Sequence, residues 1–382
     1  MKSRLMAEFD KIFGRDGSEN IYFAPGRVNL IGEHTDYNGG HVFPCALTIG
    51  TYAVARKRSD DRLRFYSMNF EGLGVIESSI KSLEYKKEDD WTNYPKGVIW
   101  ALMEKGLDIL YFGNIPNGSG LSSSASIEVL TGFVCKDMFT LDIDNVNIAL
   151  TGQYSENNFN GVNCGIMDQF AIAMGKENRA IFLDTATLEY TYAPINLTGY
   201  KIVILNTNKK RGLGDSKYNE RRSQCEEALK RLKTKLNINS LGELTEEEFE
   251  ENRQLIGDEI LEKRAKHAVY ENRRTISAVQ ALKNNDIETF AMLINQSGDS
   301  LKNDYEVTGV ELDTLVEEAR KQTGVICARM TGAGFGGCAV SIVKNEAVDG
   351  AIEAIGKAYE EKIGYKADFY VVEIGNGPEK LS

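Results

Sequence analysis

Three groups of residues carry side chains whose types and spacing suit chemistry on a charged or hydroxyl-bearing ligand. In the first, Glu33, His34 and Asp36 place two carboxylates and an imidazole within four residues, just ahead of an Asn38-Gly39-Gly40 turn. Such clusters recognise hydroxyl-rich molecules, because paired carboxylates can accept hydrogen bonds from adjacent OH groups. In the second, residues 114–126 read N-I-P-N-G-S-G-L-S-S-S-A-S. Gly118 and Gly120 let the main chain approach a ligand closely. Ser122, Ser123 and Ser124 stand where a helix would begin, beside the free N–H groups and positive dipole end that favour an anion. Serines also cap helices without binding anything, but one cap needs only one hydroxyl. The stretch therefore reads as a phosphate cradle. The third group is Glu156 and Asp168, separated by Gly161 and Gly165, so that the two acids belong to different elements that a turn could fold into one cleft.

The hydrophobic pattern supplies elements to hold these groups. After a short amphipathic opening helix, residues 21–32 form a strand pattern that runs straight into the Glu33 cluster. Strands are expected over 48–56 and 63–70, the second containing Ser67 and Asn69. A helix over about 95–105 follows Trp91, whose indole either stacks on an aromatic ligand or packs in the core. Residues 107–112 are aliphatic and aromatic enough for a strand entering the serine loop, and Ile127, Leu130, Val134 and Met138 recur at helical spacing after it. A helix around 146–159 carries Glu156, and another begins in 163–170 with Asp168. Beyond a strand pair over 180–192 and a β-rich run over 200–207 comes a basic, glycine-bearing loop at 208–215. It leads to a helix with Tyr218, Arg221, Arg222 and Cys225, and further helices run to about 323; the acidic run 246–251 is expected to be a solvated face.

Composition removes several classes of function. With 382 residues, 42% hydrophobic content and 6 prolines, the chain is long and apolar enough for two packed domains. Its 45 basic against 56 acidic residues give −11, which argues against a nucleic acid or an anionic membrane as partner, so an anionic ligand needs a local positive site. The first ten residues, M-K-S-R-L-M-A-E-F-D, lack the apolar core of a signal peptide, and no apolar run is long enough for a membrane span, so a cytoplasmic location is expected. Six scattered cysteines without C-x-x-C spacing read as reduced thiols, and three histidines argue against a histidine-built zinc site. No Walker A, H-R-D or D-F-G string occurs. Residues 332–337 do satisfy G-x-G-x-x-G, but a dinucleotide fingerprint must open a helix, and here the β-rich run 338–343 follows.

The string G-S-G-L-S-S-S-A-S resembles the phosphate motif of the GHMP kinases, the small-molecule kinases of galactose, homoserine, mevalonate and phosphomevalonate. Within that superfamily G-R-V-N-L-I-G-E-H-T-D-Y-N-G-G (26–40) resembles the galactokinase signature, as do N-C-G-I-M-D-Q-F (163–170) and S-K-Y-N-E-R-R-S-Q-C (216–225). M-T-G-A-G-F-G-G (330–337) resembles the third GHMP motif, a glycine turn that approaches the phosphate loop from the other domain. On these strings the chain is identified as a member of the galactokinase family. The resemblance implies an α+β, two-domain GHMP kinase fold. Its ribosomal protein S5 domain 2-like N-terminal domain would span residues 1–195 and its ferredoxin-like C-terminal domain residues 196–382, with the active site between them. It implies transfer of the γ-phosphate of ATP to the anomeric hydroxyl of α-D-galactose with Mg²⁺, by a monomer with neither nucleic-acid nor membrane partners. Asp168 would accept or orient the proton of that hydroxyl, and Arg27 would pair with it and stabilise the transferring group. Glu33, His34, Thr35, Asp36, Gly165 and Tyr218 would hold the sugar. Ser67, Gly118, Ser119, Gly120, Leu121, Ser122, Ser123 and Ser124 would hold the nucleotide, with Trp91 beside the adenine if its indole faces the ligand. Ser124 and Glu156 would be the oxygen ligands of Mg²⁺. A kinase for a related sugar, such as N-acetylgalactosamine or arabinose, and a sensor that binds sugar and nucleotide without catalysis are the competing readings.

Overall fold

The computed structural model describes the chain except residues 104, 117–119 and 210–213 and the side chains of 214–216. Helix α1 (Lys2–Phe13) buries Leu5, Phe9 and Phe13, one face of its helical repeat, against Val54, Tyr66 and Leu110. It leads to β1 (Asn20–Asn29), β2 (His41–Val42), β3 (Pro44–Lys57), β4 (Arg62–Ser67) and β5 (Ile76–Ser79). Then come α2 (Asn93–Leu102), β6 (Leu107–Gly113), α3 (Ser123–Phe139), α4 (Asn145–Ser155), α5 (Met167–Ala173), β7 (Arg179–Asp184) and β8 (Tyr190–Pro194). The second half contains β9 (Tyr200–Asn206), α6 (Gly214–Leu232), α7 (Glu246–Asn252), α8 (Glu259–Lys283), α9 (Ile287–Ser300) and α10 (Val310–Arg320). It closes with β10 (Val325–Thr331), β11 (Cys338–Lys344), α11 (Val348–Ile363), β12 (Asp368–Val372) and β13 (Glu379–Lys380).

The first half is a six-stranded sheet in the order β13-β1-β3-β6-β4-β5 with a small β2-β7-β8 sheet beside it; the second is an antiparallel sheet, β10-β11-β9-β12, packed with helices. The change of sheet falls between Pro194 and Tyr200. Residues 196–382 are not confined to the second body, however: Lys380 and Glu379 pair with Tyr22 and Phe23 of β1, and Ile374 bridges to Leu47. Helix α3 is apolar on nearly every side, because it lies between β1 and β3 on one face and α2, α4 and α5 on the other. Its serine-bearing N-terminus is thereby fixed at the cleft, with Ser122 buried, Ser124 half-buried and Ser123 exposed. Two irregularities aim side chains at that point. The β1–β3 register shifts between Pro25 and Arg27, a bulge that redirects the Arg27 side chain. The helix expected over 146–159 is regular only to Ser155 and then makes a single π turn, Glu156–Asn160, a feature common at functional sites. None of the described helices is long and apolar enough to cross a membrane, and all six cysteines are free thiols.

Candidate active site

A cleft of about 390 Å³, within the usual range for a small-molecule site, runs between the two sheets. It collects Arg27, Glu33, His34, Asp36, Ser67, Trp91, Gly120, Ser122, Ser123, Ser124, Glu156, Gly165, Asp168 and Tyr218 from segments far apart in sequence. Gly118 and Ser119 lie outside the described residues. Three non-glycine residues lining it have left-handed backbones, His34, Ser122 and Phe335, each with φ of 60°. Such strain persists only where the surroundings impose it.

At the centre Arg27 and Asp168 form a fork. Nε donates to Oδ1 at 2.8 Å and Nη2 to Oδ2 at 2.9 Å, while Nη1 donates to the Gly120 carbonyl at 2.7 Å. The Ser122 hydroxyl donates to Asp168 Oδ2. A bidentate pair fixes direction as well as distance. The bulge in β1, the first turn of α5 and the loop before α3 therefore hold one carboxylate in one orientation.

The acid cluster forms one end of the cleft, and the second domain builds its back wall. Glu33 is fully buried; its Oε1 accepts from the Gly332 amide at 2.8 Å and the Thr331 hydroxyl at 3.0 Å, with Arg329 at 3.4 Å. Its Oε2 has no partner among the described residues, which fits an acceptor waiting for a ligand hydroxyl. Asp36 stands against Gly165, where an added Cβ would lie 1.8 Å from Oδ2, so the glycine is required by contact. Burial pushes Asp36 up to about 7, with the charges of Asp168 and Glu33 adding to the effect. The His34 imidazole is buried and held down to about 3, mainly by desolvation and then by His267 nearby, so it is neutral. Its Nε2 faces the Ala333 carbonyl at 3.2 Å and must donate; Nδ1 then accepts from the Tyr37 hydroxyl at 2.7 Å. Tyr37 in turn lies 2.7 Å from the Tyr305 hydroxyl, and Tyr305 lies 3.1 Å from the Cys225 thiol. Both ring nitrogens of His34 are thus used within the protein, and the Tyr218 ring packs 5.6 Å from the imidazole.

Two of the expected contacts point elsewhere. The Thr35 hydroxyl is buried and donates to the carbonyls of Gly32 and His41, so the side chain closes the turn behind the cluster and does not reach the cleft. Leu121 is fully buried in the core, and its carbonyl accepts from the Arg27 amide at 3.3 Å; what it offers the cleft is the backbone it carries, not its side chain. Residues without a local signal do the holding. The Glu271 carboxylate accepts from the Gly32 amide at 2.9 Å and from Ser297, and His267 Nε2 lies 3.1 Å from the Glu33 carbonyl. Burial would raise Glu271, yet Arg274, His267 and Arg329 outweigh it and hold it at about 2.

The other end is apolar and aromatic. Trp91 packs edge-on against Tyr111 at 5.6 Å, belongs to the core, and still lines the cleft with its Nε1 unpartnered among the described residues. The indole thus packs in the core, one of the two alternatives read for it, and one edge of it faces the cleft. Ser67, nearly buried at the end of β4, accepts from the Asn69 amide, and Asn69 is tied to Gly113. Between the two ends Glu156 is buried, with the Ser124 hydroxyl and the Cys164 thiol beside it. Burial raises its pKa, Cys164 works against the rise, the Asp168 charge adds to it, and Ser124 works against it. No Lys or Arg pairs with Glu156 among the described residues, and no cluster of three acidic, His or Cys ligands occurs among them. A buried, uncompensated carboxylate next to a hydroxyl fits a hard divalent cation that takes its remaining ligands from water and phosphate.

The glycine string 332–337 joins β10 to β11 and opens no helix. Its Gly332 comes so near that a Cβ would lie 2.8 Å from the Gly120 carbonyl, so the turn of the second domain closes over the serine loop of the first. That arrangement defines a small-molecule kinase of the GHMP class. Residues 93–176 match the GHMP kinase N-terminal domain, residues 278–361 the C-terminal one, and residues 7–57 the galactokinase galactose-binding signature. The chain is 61% identical to a galactokinase of Clostridium acetobutylicum over 98% of each chain, and 60% identical to one of Clostridium beijerinckii over 99% of this chain and 98% of that one. The crystal structure of Lactococcus lactis galactokinase complexed with galactose superposes with a TM-score of 0.97 at 52% identity, covering 100% of both chains. A Methanococcus jannaschii mevalonate kinase, at 18% identity and a TM-score of 0.64 over 95% of this chain and 100% of that one, shares the fold. The chain belongs to the galactokinase family of ATP-dependent sugar kinases.

Proposed function

We propose that this chain transfers the γ-phosphoryl group of ATP to the anomeric hydroxyl of α-D-galactose, giving α-D-galactose 1-phosphate and ADP. The observation that carries the reading is the Arg27–Asp168 fork, set between an acid cluster with a free acceptor oxygen and a serine loop at a helix N-terminus. Phosphoryl transfer has a loose transition state, so it needs placement and charge more than covalent help. Asp168 receives or orients the proton of the attacking hydroxyl. Arg27, already tied to Asp168 and the Gly120 carbonyl, places positive charge where the transferring oxygens develop negative charge. Glu33 Oε2 and Asp36 accept from sugar hydroxyls, and Tyr218 covers the ring. Ser124 and Glu156 would hold Mg²⁺, which neutralises the phosphate oxygens when bound. The aromatic end around Trp91 and Ser67 takes the base. Six free thiols suit a reducing compartment, which supports a cytoplasmic location.

The test is ADP release across a panel of free hexoses and pentoses, with wild type beside Asp168→Asn. Galactose should greatly outperform glucose, because a site built to bond a hydroxyl leaves buried groups unpaired when that hydroxyl points away. Asp168→Asn keeps the shape of the pocket and should reduce turnover by roughly 10²–10⁴ with galactose binding retained. Glucose accepted as readily as galactose would overturn the substrate. Near-normal turnover of the variant would remove Asp168 from the chemistry.

A further inference from the structure

Immediately after Asp168 on α5 comes Gln169, fully buried, whose single amide nitrogen is shared between two carboxylates from two other elements. Nε2 donates to Glu156 Oε2 at 3.2 Å and to Glu128 Oε2 at 3.1 Å, so each of its two N–H bonds has one acid to itself. Glu128 is also fully buried and sits on α3 four residues beyond Ser124, on the same helical face. The helix that begins at Ser123, the π turn that opens with Glu156 and the helix that carries Asp168 therefore meet behind the cleft at one amide. Gly152 on α4 makes the meeting possible: a Cβ there would come within 2.9 Å of Gln169 Cγ and 3.5 Å of Glu128 Cβ.

Simple packing does not account for this arrangement. Glu128 Oε1 and Gln169 Oε1 are buried without partners among the described residues, a cost that an apolar residue of the same length would avoid. No Lys or Arg offsets either glutamate among the described residues; Arg27 in the cleft is paired with Asp168. What the amide does achieve is to fix a direction, because an oxygen held by an N–H cannot rotate out of the cleft. Partners behind a metal ligand have that role in general, and losing one weakens metal affinity.

We propose that Gln169 is a positioning residue for the Glu156 carboxylate, anchored from behind by Glu128, and that this amide bridge sets how tightly the cleft takes its divalent cation. The inference rests on the assignment of Glu156 as a metal ligand. Its test is Mn²⁺ titrated onto protein saturated with galactose and a nonhydrolysable ATP analogue, free Mn²⁺ being counted by its electron paramagnetic resonance signal. Gln169→Met, equal in length and without donors, should weaken Mn²⁺ binding about 10–100-fold while the galactose KM moves less than about twofold and kcat recovers at saturating metal. Glu128→Gln keeps an acceptor for the amide and should stay within about threefold of wild type. Glu128→Met removes only the anchor and should weaken binding in the same direction as Gln169→Met; it carries the test if Gln169→Met does not fold. Wild-type Mn²⁺ affinity in either folded methionine variant overturns the bridge, and so does a rise in galactose KM and a fall in kcat at saturating metal as large as the loss of Mn²⁺ binding, which marks a general packing defect. Glu156→Gln separates the two layers: if it too leaves Mn²⁺ binding unchanged, the metal site itself is misassigned, whereas a loss there with none in the methionine variants sinks this inference alone.

Discussion

Asp36 shows how one residue's environment sets a measurable property. Its carboxyl is pushed up to about 7 by burial, then by the negative charges of Asp168 and Glu33, with the Met167 amide working the other way. The carboxylate is the stronger acceptor for a sugar hydroxyl. For the free protein, kcat/KM for galactose should therefore fall as pH drops below about 7, and Asp36→Asn should lose that acid limb along with most of the affinity. The same shift has a sign for stability. A folded pKa above the unfolded one means that the native state binds the extra proton, so stability from this group is full at low pH and declines as pH rises through about 7. Ligand-free Asp36→Asn should consequently melt higher than wild type at pH 8, the gap closing as pH falls toward the ordinary carboxylate range. Equal melting at every pH would show that Asp36 is not held against its charge. Asp36, Glu33, Arg27 and Asp168 were legible from the strings that contain them. Gln169 stood in one of those strings but had no chemistry of its own to mark it, and Thr35, expected at the sugar from the resemblance alone, has its hydroxyl turned to the Gly32 and His41 carbonyls.

At the scale of elements the sequence predicts strands and helices better than the places where they break, and the breaks do the aiming. Periodicity located β1, β6, α3 and β11, yet it carries no sign of the β1 bulge that directs Arg27 or the π turn that presents Glu156. Both need one residue more than the regular repeat, and only tertiary packing decides where that residue goes. The glycine turn was legible as a non-Rossmann string because a β-rich run follows it, and its geometry makes a sharp test possible. Gly332 has φ of 84°, and an added Cβ would lie 2.8 Å from the Gly120 carbonyl and 3.5 Å from Arg27 Nη2. Gly332→Ala should cost about 1–3 kcal/mol of stability from the strained backbone, and more where the loop cannot retreat. The same amide donates to Glu33, so kcat/KM should fall for galactose and for ATP together. Wild-type melting with wild-type kinetics would mean that turn and loop do not meet in solution.

Over the whole molecule the two sheets are distinct but their stability should not be. The division at residue 195 is expected from the resemblance alone, and the return of the chain end to the first sheet has no signal, because a two-residue strand such as β13 carries no periodicity. More is shared than that strand. Arg329, fully buried in β10, donates to the carbonyls of Leu30 at 2.9 Å and Asn29 at 2.6 Å, and Glu271 and His267 of α8 hold the amide of Gly32 and the carbonyl of Glu33. The turn that carries Glu33 in the first half is therefore folded onto the second. Arg329→Met removes the ion-pair partner 3.4 Å from Glu33 and the buried donor to the Leu30 carbonyl, a loss in the range of about 3–5 kcal/mol for a broken buried pair. Both tryptophans, Trp91 and Trp100, lie in the first half, so their fluorescence reads that half while far-ultraviolet circular dichroism reads the whole. In thermal unfolding the two signals should coincide for wild type, and for Arg329→Met they should move to lower temperature together, since the substitution is in one half and its partners in the other. A fluorescence transition that stays in place while the dichroism shifts would show the halves unfolding independently and the buried arginine stabilising its own domain alone.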